Sequence, residues 1–568
     1  MNVLGIWDGH DSGAALLVDG RLAAAVNEER FSRRKLEVRF PFDSIAACLA
    51  MASLRPSHVD AVAVSTCDPA KTLARCAPWT KERYYQVRRR KTAPGTMSAV
   101  SRRAKHALTR FGPNPVSTEI SRWIVGRELR RRGIRTDRLS LVDHHHCHAL
   151  CAAYGSGLPS VVVLTIDGVG DGLSATTSLF RDGRLTPLRQ SPAVHSLGVF
   201  FEHVTMLLNM RELEDEGKVM ALAEYASPVA DADNPLMSLV TVKDGRIRCA
   251  LTGVALERRL RRIHWSCPNE QFAYMAQRTV ERVCVDLARD AVVRAGEGKL
   301  ALAGGVASNV KATRLVRHVP EVEAVHVFPH MGDGGLSLGA AIACAHSCGE
   351  RLALDFSRLD LGPSFDEREL ERAITSTGLR ASRSDAIADA VAELIASGAI
   401  VLWFQGRMEY GPRALGHRSV LARPDRPSLR DRLNLALKRR VWYQPFCPSM
   451  LEREAPRVLE DWDGPSNPHM TTAYMVRERC RDRMAGVIAL DGSCRPQIVP
   501  DAADDPFARL LRGLGARLGA GIVLNTSLNI HGEPLVCTPS EAVDVYLRSG
   551  ADALALGPWL LVKGSDGR

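Results

Sequence analysis

The sequence predicts an α/β protein of two domains, the first of them internally duplicated. Three observations carry this. At 568 residues the chain is too long for a single hydrophobic core. A unit of apolar strand, Gly/Asp turn and returning strand stands near the N-terminus and recurs about 150 residues later. Past about residue 365 a new series of amphipathic helices and buried strands begins, and about 200 residues remain to build a second α/β domain.

The first unit reads as a strand over residues 3–8, the turn Asp8-Gly9-His10-Asp11-Ser12-Gly13 and a return over Ala14–Val18. Asp19-Gly20 then turns the chain into Leu22–Val26. The second copy runs from Val161 to Ile166, through Asp167–Gly172, and back over Ser174–Leu179. Between the copies lies Asp143-His144-His145-His146-Cys147-His148, followed by an Ala-rich helical stretch. Four residues is just over one helical turn, so His144 and His148 share one helix face. A third glycine segment, Leu300–Asn309, reads as strand, tight Gly304-Gly305 turn and helix start. Backbone N–H groups at such a turn are suited to a nucleotide phosphate. Phe328–Gly335 adds a further Gly/Asp loop around Gly332 and Asp333. Two histidines with carboxylates from strand ends predict a mononuclear site for iron, manganese or zinc. The duplicated halves predict a nucleotide in the cleft between them. The Gly/Asp loops, in this order and with a His pair among them, resemble the actin/sugar-kinase/heat-shock ATPase (ASKHA) superfold.

Composition narrows the class. Hydrophobic residues at 45% and charged residues at 24% exclude disordered and fibrous chains. No run of about 18 apolar residues exists, so no membrane span is expected. The start reads as a strand rather than a signal peptide, and the 14 cysteines show no C-x-x-C pairing. Reduced thiols and a cytoplasmic location are expected. The net charge of +11 gathers at Lys81–Arg110, including Arg88–Lys91 and Arg102-Arg103, and at Arg127–Arg132. With aromatic residues at 5%, nucleic acid is not expected to be the partner. A basic surface that attracts phosphorylated small molecules fits the same composition.

The second domain carries its own constellation. A buried strand over Ala399–Phe404 runs into Gly406-Arg407 and then Gly411-Pro412-Arg413-Ala414-Leu415-Gly416-His417-Arg418. Glycines let backbone approach a ligand, and guanidinium forks match phosphate oxygens. Asn434–Arg440 follows, with Lys438 and Arg440. Finally a strand over Ile522–Leu524 ends in Asn525-Thr526-Ser527-Leu528-Asn529, a run of hydroxyl and amide donors. Together these predict an anion site.

His10-Asp11-Ser12, Glu28–Arg33, the His-x3-His helix, Glu214–Met220, Gly304-Gly305 and Gly332–Gly335 resemble, in order and spacing, the NodU/CmcH family of O-carbamoyltransferases. Gly411–Gly416 and Asn525–Pro534 extend the likeness over the rest of the chain. The resemblance implies an actin-like (ASKHA, duplicated) N-terminal domain over 1–365, like the threonylcarbamoyl-adenosine transferase subunit. It implies a YrdC-like C-terminal domain over 366–568. The latter would form carbamoyl adenylate from carbamoyl phosphate and ATP, with Mg on the ATP. The adenylate would pass internally to the former, where a hydroxyl of a small natural product, such as a sugar or aminocyclitol, takes the carbamoyl group.

On the same resemblance the metal ligands fall on His144, His148, Asp167 and Asp333, with Fe(II) expected and Mn or Zn as alternatives. His10 would serve as general base, and Lys35 and Asp215 would orient the acceptor. Ser12, Gly304, Gly305, Asn309 and Gly332 would face nucleotide. Arg413, Arg418, Lys438, Arg440, Asn525, Ser527 and Asn529 would hold carbamoyl phosphate or the adenylate. The family's Arg-Pro-Phe is Gln444-Pro445-Phe446 here, and its Arg-Glu is Arg440-Val441. One phosphate-facing arginine is therefore expected to be lost. A tRNA threonylcarbamoyl-type modifying enzyme is the alternative reading, against which Gly-Pro-Arg-Ala-Leu-Gly argues. A homodimer is compatible with the sequence.

Overall fold

The computed structural model describes residues 1–93, 105, 107–464 and 467–563. Arg102 and Arg103 of the basic stretch lie outside the described residues. The chain forms two compact units, one of Met1–Glu28 with Leu36–Phe356 and one of Glu29–Lys35 with Ser357–Arg568. The passage between them at Phe356/Ser357 precedes the boundary expected near 365. The short excursion Glu29–Lys35 carried no compositional mark. Arg30 and Arg33 tie it to the second unit, donating to the main-chain oxygens of Gly411, Pro534 and Leu535.

The first unit holds two five-stranded sheets of one design. In the first, β1 (Asn2–Trp7), β2 (Gly13–Val18), β3 (Arg21–Asn27), β4 (Ala61–Ser65) and β5 (Leu139–Val142) lie in the order β3-β2-β1-β4-β5. The hairpin strands β1–β3 are antiparallel, whereas β4 and β5 run parallel to β1. The second sheet contains β6 (Ser160–Gly170), β7 (Leu173–Arg181) and β8 (Arg184–Pro192). A small hairpin, β9 (Val240–Lys243) and β10 (Arg246–Cys249), precedes its last strands, β11 (Lys299–Ala303) and β12 (Ala324–Val327). The order β12-β11-β6-β7-β8 repeats the first sheet strand for strand, with the same senses. The duplication expected from two Gly/Asp hairpins is therefore present.

The second copy departs from expectation in one respect. Residues 167–170 continue β6 across a register shift between Ile166 and Gly170, and only Asp171-Gly172 turns, at φ 49° and 84°. Both central residues have positive φ, the geometry that Asp-Gly adopts at low steric cost. The bulge turns Asp167 toward the helix His144–Gly155 instead of pairing it with β7, and Gly170 resumes the pairing opposite Leu173.

The second unit is built on one mixed eight-stranded sheet. Its strands are β13 (Ser382–Arg383), β14 (Val401–Phe404), β15 (Arg418–Ala422), β16 (Cys447–Leu451), β19 (Gln497–Val499), β20 (Ile522–Ser527), β21 (Ala553–Leu556) and β22 (Trp559–Val562). The remaining pair, β17 (Tyr474–Met475) and β18 (Ser493–Cys494), forms a separate ribbon. The sheet order is β13-β22-β21-β14-β15-β20-β16-β19. Alternate residues of β14 enter opposite cores: Val401 and Trp403 one, Leu402 and Phe404 the other. A strand covered on both faces must be apolar throughout, which explains the unbroken run Ile400–Phe404. Strand β20 reaches Ser527 rather than ending at Leu524, so Asn525-Thr526-Ser527 is strand paired with β15.

Arg418 begins β15 and is fully buried. Its guanidinium donates to the carbonyls of Gln405 (2.8 Å), Gly406 (3.1 Å), His417 (3.2 Å) and Pro363 (3.4 Å), and lies 3.5 Å from the Phe404 ring centroid. The sequence reading made Arg418 a ligand residue, whereas its two terminal NH2 groups hold the loop after β14 and only Nε is left without a partner among the described residues. Arg418→Ala is expected to destabilise the second unit by about 3 kcal/mol, because several carbonyls lose a charged donor. Chemical denaturation reads this directly; unchanged stability would return Arg418 to the ligand set.

Candidate active site

The helix His144–Gly155 is capped by Asp143, whose carboxylate accepts the His146 amide at 2.8 Å. One turn of spacing brings the His144 and His148 ring centroids to 4.8 Å. Asp167 arrives from the β6 bulge and Asp333 from the turn before the helix Leu336–Ser347. One ligand atom from each of His144, His148, Asp167 and Asp333 lies within 4.8 Å of the other three. His144 Nε2 is 3.2 Å from Asp167 Oδ2, and both imidazole Nε2 atoms are 3.6 Å from Asp333 Oδ1. His148 Nε2 is buried without a hydrogen-bond partner. A buried lone pair left without a donor, among three further donors, is what a cation requires.

The groups behind these four were not singled out from sequence. His144 Nδ1 lies 3.1 Å from Thr66 Oγ1. A proton on Nδ1 shared with Thr66 leaves Nε2 as lone-pair donor. Thr66 takes φ 71°, a strained conformation for a β-branched residue. Its amide donates to Val142 O (2.8 Å) and its carbonyl accepts from Arg75 (2.8 Å), which holds it there. Asp171 accepts the amides of His144 (2.8 Å), Asp68 (3.1 Å) and Cys67 (3.2 Å), fixing the start of the ligand helix. A Cβ on Gly170 would stand 2.1 Å from the His144 ring. Gly170→Ala is expected to displace that imidazole, lower bound metal and cost about 2 kcal/mol of stability. Metal content and thermal unfolding of the variant check this, and a fully metallated variant would contradict it.

The Gly304-Gly305 turn behaves differently from expectation. Gly304 N–H donates to Met331 O and Gly305 N–H to Asp167 Oδ1, each at 2.7 Å. These amides orient a carboxylate of the cluster rather than standing open to a phosphate. Asn309 caps the helix Val310–Arg317 through the Ala312 amide and exchanges two hydrogen bonds with Gln277. Ser12 is fully buried, and Gly332 takes ordinary φ at −79° ahead of Asp333.

His10 borders the cluster, with Nδ1 3.4 Å from Asp333 Oδ2 and 3.5 Å from the Tyr85 hydroxyl. Burial lowers its pKa despite the pull of Asp333 and Asp167, so the ring is neutral at pH 7. On His144 burial also acts downward, but Asp333 and Asp167 outweigh it and lift the imidazole to about 9. Asp215 precedes the helix Glu216–Leu222 and is ion-paired to Arg211 (3.0 Å) and Lys218 (2.9 Å). Those partners overcome burial and hold its carboxyl at about 2. Lys35 belongs to the second unit, where its charge acts on Lys438. Within the basic stretch Arg88 pairs with Glu202 and Glu212, and Arg89 with Glu214, whereas Arg83, Arg90, Lys91 and Arg110 are exposed.

In the second unit a π-helical turn, Leu433–Leu437, delivers Lys438. Lys438 Nζ donates to the main-chain oxygens of Ser527 and Asn529, to Ser527 Oγ (3.2 Å) and to Asn529 Oδ1 (2.7 Å). Burial, with Arg440 and Lys35 nearby, drives its pKa well down. Asn525 donates to Ala414 O and Ser449 Oγ, while its Oδ1 stays unpartnered. Arg413 Nε is enclosed without a partner. Desolvation and Arg495 push Arg413 down to about 9. Desolvation and, to a lesser degree, Arg495 do the same to Arg440, which stacks 4.2 Å from the Phe446 ring centroid. Arg495, isolated in sequence, is therefore a third guanidinium beside the two foreseen; it donates to Cys447 Sγ at 3.1 and 3.3 Å. Three cations with no carboxylate acting on Arg413 or Arg440 among the described residues form an arrangement whose charge suits a multiply charged anion. Gln444 Oε1 is an enclosed acceptor without a partner.

One α/β unit, duplicated, carries a His2Asp2 cluster and the other a guanidinium cluster, and the matches to both place the chain among the group-transfer enzymes. The chain belongs to the NodU/CmcH carbamoyltransferase family: the carbamoyltransferase N-terminus matches residues 2–342 and the carbamoyltransferase C-terminus residues 392–563. It is 31% identical to nodulation protein NolNO of Sinorhizobium fredii over 98% of this chain and 79% of that one. It is also 31% identical to 3'-hydroxymethylcephem-O-carbamoyltransferase of Amycolatopsis lactamdurans, over 61% of this chain and 64% of that one. Among solved structures, full-length HypF in its phosphate- and nucleotide-bound form aligns with a TM-score of 0.36 at 14% identity, over 62% of this chain and 56% of that one. The protein is a carbamoyltransferase. No helix among the described residues is long and apolar enough to cross a membrane.

Proposed function

We propose that a YrdC-like second unit hydrolyses carbamoyl phosphate to carbamate and inorganic phosphate, and joins the carbamate oxygen to the α-phosphorus of ATP with loss of pyrophosphate, making carbamoyl adenylate. The carbamoyl group is then transferred to a hydroxyl of a small natural product in an actin-like first unit. The observation that carries this reading is the Arg413–Arg440–Arg495 cluster, whose repulsion and desolvation call for a phosphate-bearing ligand. Arg413 and Arg440 bind phosphate oxygens, and Lys438 fixes the Ser527–Asn529 strand end against the carbamoyl group. The acceptor hydroxyl gives its proton to neutral His10, its oxygen bonds to the carbamoyl carbon, and the bond from that carbon to the AMP oxygen breaks.

His144, His148, Asp167 and Asp333 suit a divalent ion, Fe(II) by family resemblance, which supplies Lewis acidity toward phosphate oxygens. Asp167 is kept aimed by the Gly305 amide and His144 by Thr66, so the donor set is preorganised.

Product analysis tests the reading. Incubation with carbamoyl phosphate, ATP and a library of hydroxylated acceptors should release AMP, pyrophosphate and inorganic phosphate. ADP as sole nucleotide product would replace it with a kinase. With carbamoyl adenylate supplied, the acid limb of transfer should fall below the ordinary histidine value of 6.5, because burial depresses His10. A cation in the neighbouring cluster acts in the same direction. A pH–rate profile with its limb above 6.5 would remove His10 as the base.

A further inference from the structure

Lys81, on the helix Pro78–Arg88, and Lys105, beyond it in the chain, bring two ammonium groups to the side of the His10 turn. Lys81 Nζ donates to the main-chain oxygen of Asp8 at 2.7 Å. Lys105 Nζ lies 3.9 Å from the Tyr84 ring centroid and 4.5 Å from that of Tyr85, and donates to the Tyr85 hydroxyl at 3.3 Å. That hydroxyl is 3.5 Å from His10 Nδ1. Among the described residues neither lysine has a carboxylate at ion-pair distance, and residues 94–104 and 106 contain no Asp or Glu. The acids nearby are already engaged. Asp8 pairs with Lys71 and Arg75, Glu202 with Arg88, Glu37 accepts the amides of Val38 and Arg39, and Asp68 accepts that of Lys71. Burial, reinforced by Lys71 on Lys81 and by Arg88 on Lys105, pushes both lysines down to about 7. Enclosed ammonium groups without a counter-ion are a standing electrostatic deficit that a bound anion removes.

We propose that the acceptor is an anionic alcohol: a hydroxylated molecule bearing a carboxylate or phosphate that sets its charge against Lys81 and Lys105 while its hydroxyl meets His10. This rests on reading His10 as the base of the acceptor site. The charge anchors the molecule, and the 3.5 Å Tyr85–His10 contact places that anchor one side chain away from the base. The same field draws anionic acceptors toward the site and gives neutral ones no advantage.

Calorimetric titration with glucose, glucuronate and glucose 6-phosphate compares neutral and anionic forms of one hydroxylated ring. The full-length chain carries Arg413→Ala, so that the second unit's anion cluster does not contribute. Both anionic sugars are expected to bind at least about tenfold more tightly than glucose. Lys81→Gln with Lys105→Gln should erase that preference, and Lys81→Arg with Lys105→Arg should keep it, which separates charge from folding. Equal affinity for the three sugars, no binding of either anion at millimolar concentration, or a preference that survives the glutamine pair would each overturn the proposal. So would a glutamine pair that, with Arg413 intact, raises KM for ATP while sparing the anionic sugars, since the lysines would then serve nucleotide phosphate. Calorimetry needs no turnover, so failure of the carbamoyl-adenylate reading shows separately, as ADP in place of AMP.

Discussion

His144→Ala and His148→Ala are each expected to abolish carbamoyl transfer and to lower metal affinity by at least about 100-fold. Even losing an outer partner of a metal-bound histidine costs 10–100-fold. The reason lies in the donor count. Four ligand atoms sit within 4.8 Å of one another, and removing one imidazole leaves three donors with two buried carboxylates among them. Without His148, Asp333 loses one of the imidazoles that face it at 3.6 Å. Without His144, Asp167 loses its 3.2 Å partner. Elemental analysis of the purified variants reads the metal and a carbamoyl-transfer assay the activity. His146→Ala is the control, since that side chain is exposed on the same helix. Full metal retention in both histidine variants would disprove the ligand assignment.

Arg413→Ala is expected to stop carbamoyl adenylate formation, by roughly 100- to 1000-fold, while synthetic carbamoyl adenylate still reacts with acceptor. Arg413 Nε has no partner among the described residues, and Arg495 acts on the Arg413 charge. Its function is therefore expected only with ligand present. Stability gives an independent sign. Arg413 is depressed in the folded protein to about 9, so its charged form opposes folding at neutral pH. Removing it should leave the melting temperature unchanged or higher, whereas Arg418→Ala should lower it. A variant that fails with supplied adenylate would show that activation and transfer are not separable.

Sequence spacing placed the paired histidines well and the partners of the glycine turn poorly, for a physical reason. His144 and His148 share a helix face because an α-helix repeats every 3.6 residues, so their proximity is local. Gly304-Gly305 was legible as a turn, but a turn does not say which partner its amides meet. Here a carboxylate from β6 comes within 2.7 Å and takes one of them. Arg418 shows the same ambiguity. An arginine after a Gly-rich loop looks like a phosphate fork, yet burial beneath four carbonyls makes it a brace. Thr66 and Arg495 carried no signal at all. Each acts through residues far away in the chain.

The sequence alone settled the α/β class, the repeated hairpin, the paired histidines and the family, since all four are written in local periodicity, Asp-Gly turns and contiguous motifs. The family resemblance named Asp167 and Asp333 beside those histidines, and tertiary structure alone decided that the Gly305 amide and Thr66 hold the group in place, that Arg495 joins Arg413 and Arg440, and that Glu29–Lys35 belongs with the second unit. Those facts depend on where distant strand ends arrive once the sheets pack, and packing energy is a property of the whole chain rather than of any segment.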